Sequence, residues 1–274
     1  MRNRLIDLTE RARRTKKKLF CAFLTLGFPD VRSTEKLIEG FSRHGVDLVE
    51  LGFPFSDPLA DGPTLQFSSE MSLRRGVRLE DAFRVVRNLR KKGVRIPIIF
   101  FSYLNPIHHA GASGFPKRLK AAGFDGLIVP DCPPEEEGGL WKACRRAGIA
   151  PVFLIAPTTT RERARKIFAK SEGFLYYVSL RGVTGARQHL AGDLRGNLRS
   201  LTRLGRKPVL VGFGVSTPSQ VREIGRLGGG VIVGSAIVDR IRKSGGRLAP
   251  VLSFVKSLAR PLRGKNSTAS KWAS

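Results

Sequence analysis

The sequence predicts an α/β protein, a single (β/α)8 TIM barrel with extra short helices. Three observations carry that expectation. The chain has 274 residues with 41% hydrophobic content, eight short apolar runs recur along it, and amphipathic charged stretches lie between them. A barrel of this kind needs about 250 residues. Two domains of about 150 residues each would fit the length as well, but no linker-like break, short repeat or low-complexity segment divides the chain. One domain is therefore expected over residues 1–260. The end, RGKNSTASKWAS, lies in a basic tail, 261–274, that reads as disordered.

In chain order, LFCAFLT (19–25) is followed by an amphipathic stretch at 33–44, and DLVEL (47–51) by one at 79–92. PIIFF (97–101) precedes 114–122, GLIV (126–129) precedes 134–147, and PVFLI (151–155) precedes 161–170. FLYYVS (174–179) runs into a glycine loop, PVLVG (208–212) leads to 217–226, and GVIV (230–233) to 248–260. The runs are almost continuously apolar, as strands covered on both faces must be. Asp57, Ser113, Thr160 and Thr217 stand where helix caps are wanted, the last followed by Pro218. A doubly wound open sheet would leave two or three of these strands unused.

No apolar stretch reaches the 18 or so uncharged residues of a membrane span. The basic start lacks the apolar region of a secretory signal. Cys21, Cys132 and Cys144 show no metal-ligand spacing and sit in or beside apolar runs, which suggests reduced core thiols in a cytoplasmic protein. Net charge is +27, from 49 Lys+Arg against 22 Asp+Glu. Residues 1–18 contribute +6 and 261–274 another +3, so +18 is spread over the body. Such a field attracts anions without choosing among them.

A barrel's chemistry lies at the carboxyl ends of its strands. Glu50 ends the second run and should project into a partly dry mouth, where desolvation would raise its pKa and suit it to proton donation. Asp61, in the Gly/Pro-rich loop that follows, could bring a second carboxylate to the same substrate. The same residues also fit a plainer reading, in which Glu50 pairs with an arginine and the Asp-Pro steps are turns. Gly182–Gly185, Gly212–Gly214 and Gly234–Ser235 follow the last three runs. Glycine backbones and helix N-termini there suit a phosphate, although tight turns would use the same residues. By alternation, one of Tyr176 and Tyr177 should face the interior. Phe23, Phe101, Tyr103 and Leu154 could line an apolar pocket or simply pack the core. The adjacent His108 and His109 lack a third metal ligand, no GxGxxG opens a helix, and no run ends in the lysine of a Schiff-base aldolase.

LTLGFPD, ELGFPFSDPLADGP, SYLNPI, PDCPPEE, YYVSLRGVTGAR, GFGVST and GSAIV occur in that order. Over about residues 5–260 the sequence resembles the tryptophan synthase alpha chain family, with ELGFPFSDPLADGP as its most specific stretch. The resemblance implies a lyase barrel of L-tryptophan biosynthesis that cleaves indole-3-glycerol phosphate to indole and glyceraldehyde 3-phosphate. It implies no cofactor in this chain, and a pyridoxal-phosphate-dependent beta chain as partner in an alpha2-beta2 complex. Glu50 then matches the catalytic acid/base and Asp61 the aspartate that binds the indole N–H. Tyr176 matches the active-site tyrosine and Thr184 the loop residue closing onto Asp61. Gly185, Gly214, Gly234 and Ser235 resemble the phosphate cradle, Phe23, Tyr103 and Phe213 the indole pocket, and Asp57 the contact to the partner. After Gln66 the family's small-residue helix is replaced by Phe-Ser-Ser-Glu-Met-Ser-Leu.

Two other classes fit parts of the pattern. The +18 of the body would suit a nucleic-acid-associated protein on an inherited barrel, but intact Glu50 and Asp61 are better explained by retained chemistry, so nucleic acid is not an expected partner. A sugar-phosphate isomerase would share the glycine loops and not the carboxylate loop.

Overall fold

The computed structural model describes residues 3–136, 139–178, 187–205, 207–212 and 214–263. Thr184, Gly185, Phe213 and the tail from 264 onward lie outside them. The chain opens with α1 (Arg4–Thr15), β1 (Leu19–Thr25), α2 (Val31–Arg43) and β2 (Leu48–Gly52). Next come α3 (Pro63–Arg74), α4 (Leu79–Lys91), β3 (Ile98–Phe101), α5 (Leu104–His109), α6 (Phe115–Ala122) and β4 (Gly126–Ile128). The middle holds α7 (Leu140–Ala147), β5 (Ala150–Pro151), β6 (Leu154–Ile155), α8 (Arg161–Lys170), β7 (Leu175–Val178) and α9 (Arg187–Thr202). Then follow β8 (Val209–Gly212), α10 (Pro218–Leu227), β9 (Gly230–Val233), α11 (Ser235–Lys243) and α12 (Leu248–Ala259). A 3-10 turn at Arg260–Leu262 ends the described chain. Its Leu262 packs against the core.

All pairings are parallel, in the order β5-β4-β3-β2-β1-β9-β8-β7-β6. The run read as one strand at 151–155 is two, β5 and β6, and this split closes the barrel. Val152 N–H bonds Leu127 O on one side at 3.0 Å, while Phe153 O accepts from Tyr176 N–H on the other at 3.1 Å. Covalent continuity through Val152 and Phe153 thus joins the two ends of the sheet.

Two layers of side chains follow from strand alternation. Leu19, Cys21, Leu48, Ile99, Ile128, Val152, Phe174, Leu210 and Ile232 fill the interior. Phe20, Ala22, Val49, Leu51 and Phe100 point out, beneath the helices. Helix α1, which did not register as apolar periodicity, closes the interior through Leu5 and Ala12. Asn3 caps it, accepting the Leu5 N–H at 2.9 Å, and donates in turn to Asp125 O and Gly148 O at 2.7 and 2.9 Å.

Thr160 and Thr217 cap α8 and α10 as expected, Thr217 in a capping box with Gln220. Asp57 caps no helix, because the chain stays in a loop to Gly62, and Gly114 rather than Ser113 precedes α6. The stretch expected to be helical from 134 starts only at Leu140; Pro133 to Glu136 instead make a turn closed at 3.1 Å. His108 and His109 form the last turn of α5. The altered segment after Gln66 keeps a small-residue face: Ser68, Ser69 and Ser72 are buried, and Ser68 Oγ meets Thr25 Oγ1 at 2.7 Å.

Charge is segregated by the fold. Ion pairs tie α2 to α4 (Lys92 with Glu35 and Glu39), α4 to α6 (Arg118 with Glu80) and run along α8 and α11. On α9, α10 and α12, exposed Arg195, Arg199, Arg222, Arg226 and Lys256 have no ion-pair partner among the described residues.

Candidate active site

Glu50 is the third residue of β2, opposite Phe23 of β1 and Ile99 of β3 in the parallel register. Alternation sends it inward with Leu48, and it is fully buried. Its Oε1 accepts a hydrogen bond from Cys21 Sγ at 3.5 Å, and its Oε2 has no partner among the described residues. No arginine reaches it there, so the ion-pair reading does not hold. Burial pushes the carboxyl up to about 8, against a smaller downward pull from the thiol. A carboxylic acid in this setting carries its proton at neutral pH.

Asp61 hangs in the loop between β2 and α3. Its N–H bonds Pro58 O at 2.9 Å, and its own carbonyl accepts from Gln66 Nε2 at 2.8 Å. The Tyr103 hydroxyl accepts the Ala60 N–H at 3.0 Å and donates to the Asp61 carboxylate. Burial raises Asp61 to about 6, and this hydrogen bond pulls it down. Burial and the Asp61 charge push the Tyr103 hydroxyl up, so it remains a donor. Tyr103 is held in turn by the start of α5, where the Leu104 N–H donates to both Asp131 carboxylate oxygens, at 2.9 and 3.2 Å. Tyr103 is thus less a ring wall than a clamp on the acidic loop.

Tyr176 faces the interior and Tyr177 the helices, where its hydroxyl accepts from Asn197 Nδ2 at 3.1 Å. Burial first, then the charges of Glu50, Cys21 and Asp61, holds the Tyr176 hydroxyl well above its ordinary range. These groups therefore share one space. Gly212 makes room for the ring: a Cβ there would sit 2.6 Å from Tyr176 Cε1. Phe23 packs edge-on against Phe101 with ring centroids 5.6 Å apart. It also backs onto Gly234, where a Cβ would come within 3.3 Å of Phe23 Cβ. Gly214 follows β8, and Ser235 opens α11, whose N-cap Gly234 provides no side-chain cap. The first N–H groups of α11 are thus oriented for an anion.

Asp57 is not part of this cluster. It is exposed on the outer rim of the loop, two residues before Leu59, which is 84% exposed. Sequence reasoning read Cys21 only as a core thiol and passed over Asp131. For Cys21 a signal existed, since residues 21 and 23 of a strand share a face. For Asp131 none did, because its partner lies 27 residues away.

The match to known proteins is extensive. The family model for the tryptophan synthase alpha chain matches residues 9–264. The chain is 41% identical over 247 residues to the tryptophan synthase alpha chain of Dehalococcoides mccartyi, covering 90% of this chain and 96% of that one. It is 43% identical over 258 residues to that of Roseiflexus castenholzii, covering 93% and 99%. The crystal structure of tryptophan synthase subunit alpha from Legionella pneumophila superposes with a TM-score of 0.87 at 30% identity, covering 96% of this chain and 99% of that one. The closed parallel barrel, its two raised carboxyls at one mouth and these matches over nine-tenths of the chain agree: the chain belongs to the tryptophan synthase alpha chain family.

Proposed function

We propose that Glu50, Asp61 and Tyr176 carry out in this chain the family's lyase reaction, the retro-aldol cleavage of indole-3-glycerol phosphate to indole and glyceraldehyde 3-phosphate. The observation that carries this reading is the fully buried Glu50 with an unpartnered oxygen and a carboxyl raised to about 8. Cleavage requires a proton on the indole ring carbon, so that the ring can accept the electron pair of the breaking C–C bond. It also requires loss of the proton from the glycerol hydroxyl that becomes the aldehyde. Glu50 supplies the first proton from a dry site and, once ionised, can accept the second. Asp61, acting as a carboxylate beside the ring nitrogen, stabilises the positive charge that develops there. Phe23 flanks the ring, Tyr103 holds the Asp61 loop against it, and Gly214, Gly234 and Ser235 receive the phosphate; Thr184, Gly185 and Phe213 complete the set by resemblance.

The partner is the tryptophan synthase beta chain, which holds the pyridoxal phosphate and consumes the indole. The exposed Leu59 beside Asp57 supports this loop as its contact. No helix among the described residues is long and apolar enough to cross a membrane. The three cysteines are free and buried, in keeping with a cytoplasmic location.

The test is indole release from indole-3-glycerol phosphate by the purified chain, with and without a tryptophan synthase beta chain. A slow basal rate that rises on adding the partner is expected, because the loop before Asp61 is exposed at Ser56, Asp57, Leu59 and Ala60 and the competent fraction limits the rate. No indole in either condition would remove the reading.

Tyr103→Phe tests the clamp. Without the hydroxyl, Asp61 loses the hydrogen bond that opposes burial, so its pKa rises from about 6 toward neutrality. The acid-side limb of kcat/KM should move up by about one pH unit, and the rate at pH 7 should fall by about 2-fold, because a carboxyl raised to near 7 is only half ionised there. An unmoved limb would show that Tyr103 does not hold the carboxylate.

A further inference from the structure

We infer that Cys21 is a positioning residue for Glu50: its thiol holds Oε1, leaving Oε2 as the oxygen that exchanges a proton with the substrate. This inference rests on the assignment of Glu50 as the acid. The two side chains come from adjacent strands and meet inside the barrel, both fully buried, with Sγ 3.5 Å from Oε1. Around them the interior is apolar, with Leu48, Ile99, Ile128 and Phe174 in the same cluster as Cys21. The titratable groups facing Glu50 are Cys21 on β1 and Tyr176 on β7, with Asp61 across the mouth and Asp47 acting on Cys21 from the foot of β2. Among the described residues the thiol is the one donor this carboxyl receives.

A buried carboxyl with no donor has two equivalent oxygens and no preferred place for its proton. One weak S–H donor breaks that symmetry. The oxygen that accepts it becomes the less basic, so the neutral acid carries its proton on Oε2. Cys21 can play this part at any working pH, because burial and the Glu50 carboxyl keep the thiol protonated. A thiol also suits the task by its weakness. A hydroxyl in its place would stabilise the carboxylate more strongly and deplete the acid form.

The experiment uses the full chain as Cys21→Ala and Cys21→Ser, with glutamate labelled at the side-chain carbonyl carbon. The Glu50 resonance is identified by its loss in Glu50→Gln, and its titration is followed by carbon-13 NMR beside the pH profile of kcat/KM measured with the beta chain. Relative to wild type, Cys21→Ala should move the titration up by about 0.5–1 pH unit and Cys21→Ser should move it down by a similar amount, with KM held within about 2-fold. Both variants shifting in the same direction, or neither shifting, would overturn the inference and leave Cys21 as packing. If Glu50→Gln still cleaves substrate, the acid assignment fails. The opposite shifts in the NMR titration would still test the thiol contact by itself.

Discussion

Glu50→Gln is expected to lower cleavage by roughly 10²–10⁴-fold while leaving the barrel intact, because it keeps size and polarity and removes only the transferable proton. The rate of the wild type should fall as pH rises through about 8, where Glu50 ionises. The variant should lack that limb. A second consequence concerns stability. Glu50 has its pKa raised from 4.5 to about 8 on folding, so between these values the folded chain binds the extra proton. Stability from this group is therefore full below about pH 4.5 and is lost as pH rises toward 8. Glu50→Gln should remove that loss, and its advantage over wild type should grow by about 3–5 kcal/mol between pH 4.5 and pH 8. Urea denaturation at the two pH values, beside indole-release rates, measures both effects. Near-normal cleavage by the folded variant would end the assignment.

Asp125→Ala is expected to cost about 3–5 kcal/mol of stability, the loss typical of a buried ion pair that loses one partner. Asp125 precedes β4 at the amino end of the barrel and is 2% exposed. It accepts from Arg90 Nη2 at 2.8 Å, from Arg4 Nε at 3.0 Å and from the Ile98 N–H at 3.0 Å, joining α1, α4 and β3. Burial pushes its carboxyl up, and the two guanidinium groups pull it back. Removing it leaves a mostly buried Arg90, already lowered to about 10 by desolvation, without that counter-charge and with the carbonyls of Val94, Ile96 and Gly123 as its remaining acceptors among the described residues. The melting temperature should drop on the order of 10 °C, with kcat per folded molecule unchanged. A loss below about 1 kcal/mol in urea would mean that the carbonyls of Val94, Ile96 and Gly123 suffice for the Arg90 charge.

The barrel was legible because covered parallel strands must be apolar on both faces, so all eight runs stood out against charged helices. The 151–155 run misled in one respect only. Strand count is a local property, but the point at which a sheet curls onto itself is not, and Val152 and Phe153 carry no mark of it. Helix α1 was missed because its sequence, RLIDLTERARRT, is dominated by charge and only its few apolar residues enter the barrel. The start of α7 was placed too early because Glu135 and Glu136 read as a charged first turn, whereas Pro133 begins a turn and the helix opens only after Gly139.

What the sequence by itself determined is the fold class, the family and the placement of Glu50 on the second strand, although Glu50 stands third of the five residues of β2 and not at its end. These depend on alternation and on residues close together in the chain. The tertiary structure decided what each group meets. It gave Glu50 a thiol instead of an arginine, turned Tyr103 into the clamp on Asp61, fastened Tyr103 through Asp131, and gathered the ion pairs of the described residues away from α9, α10 and α12. A pKa and a hydrogen bond depend on burial and on contacts between distant parts of the chain. Desolvation acts on a carboxyl only once the whole barrel has closed around it.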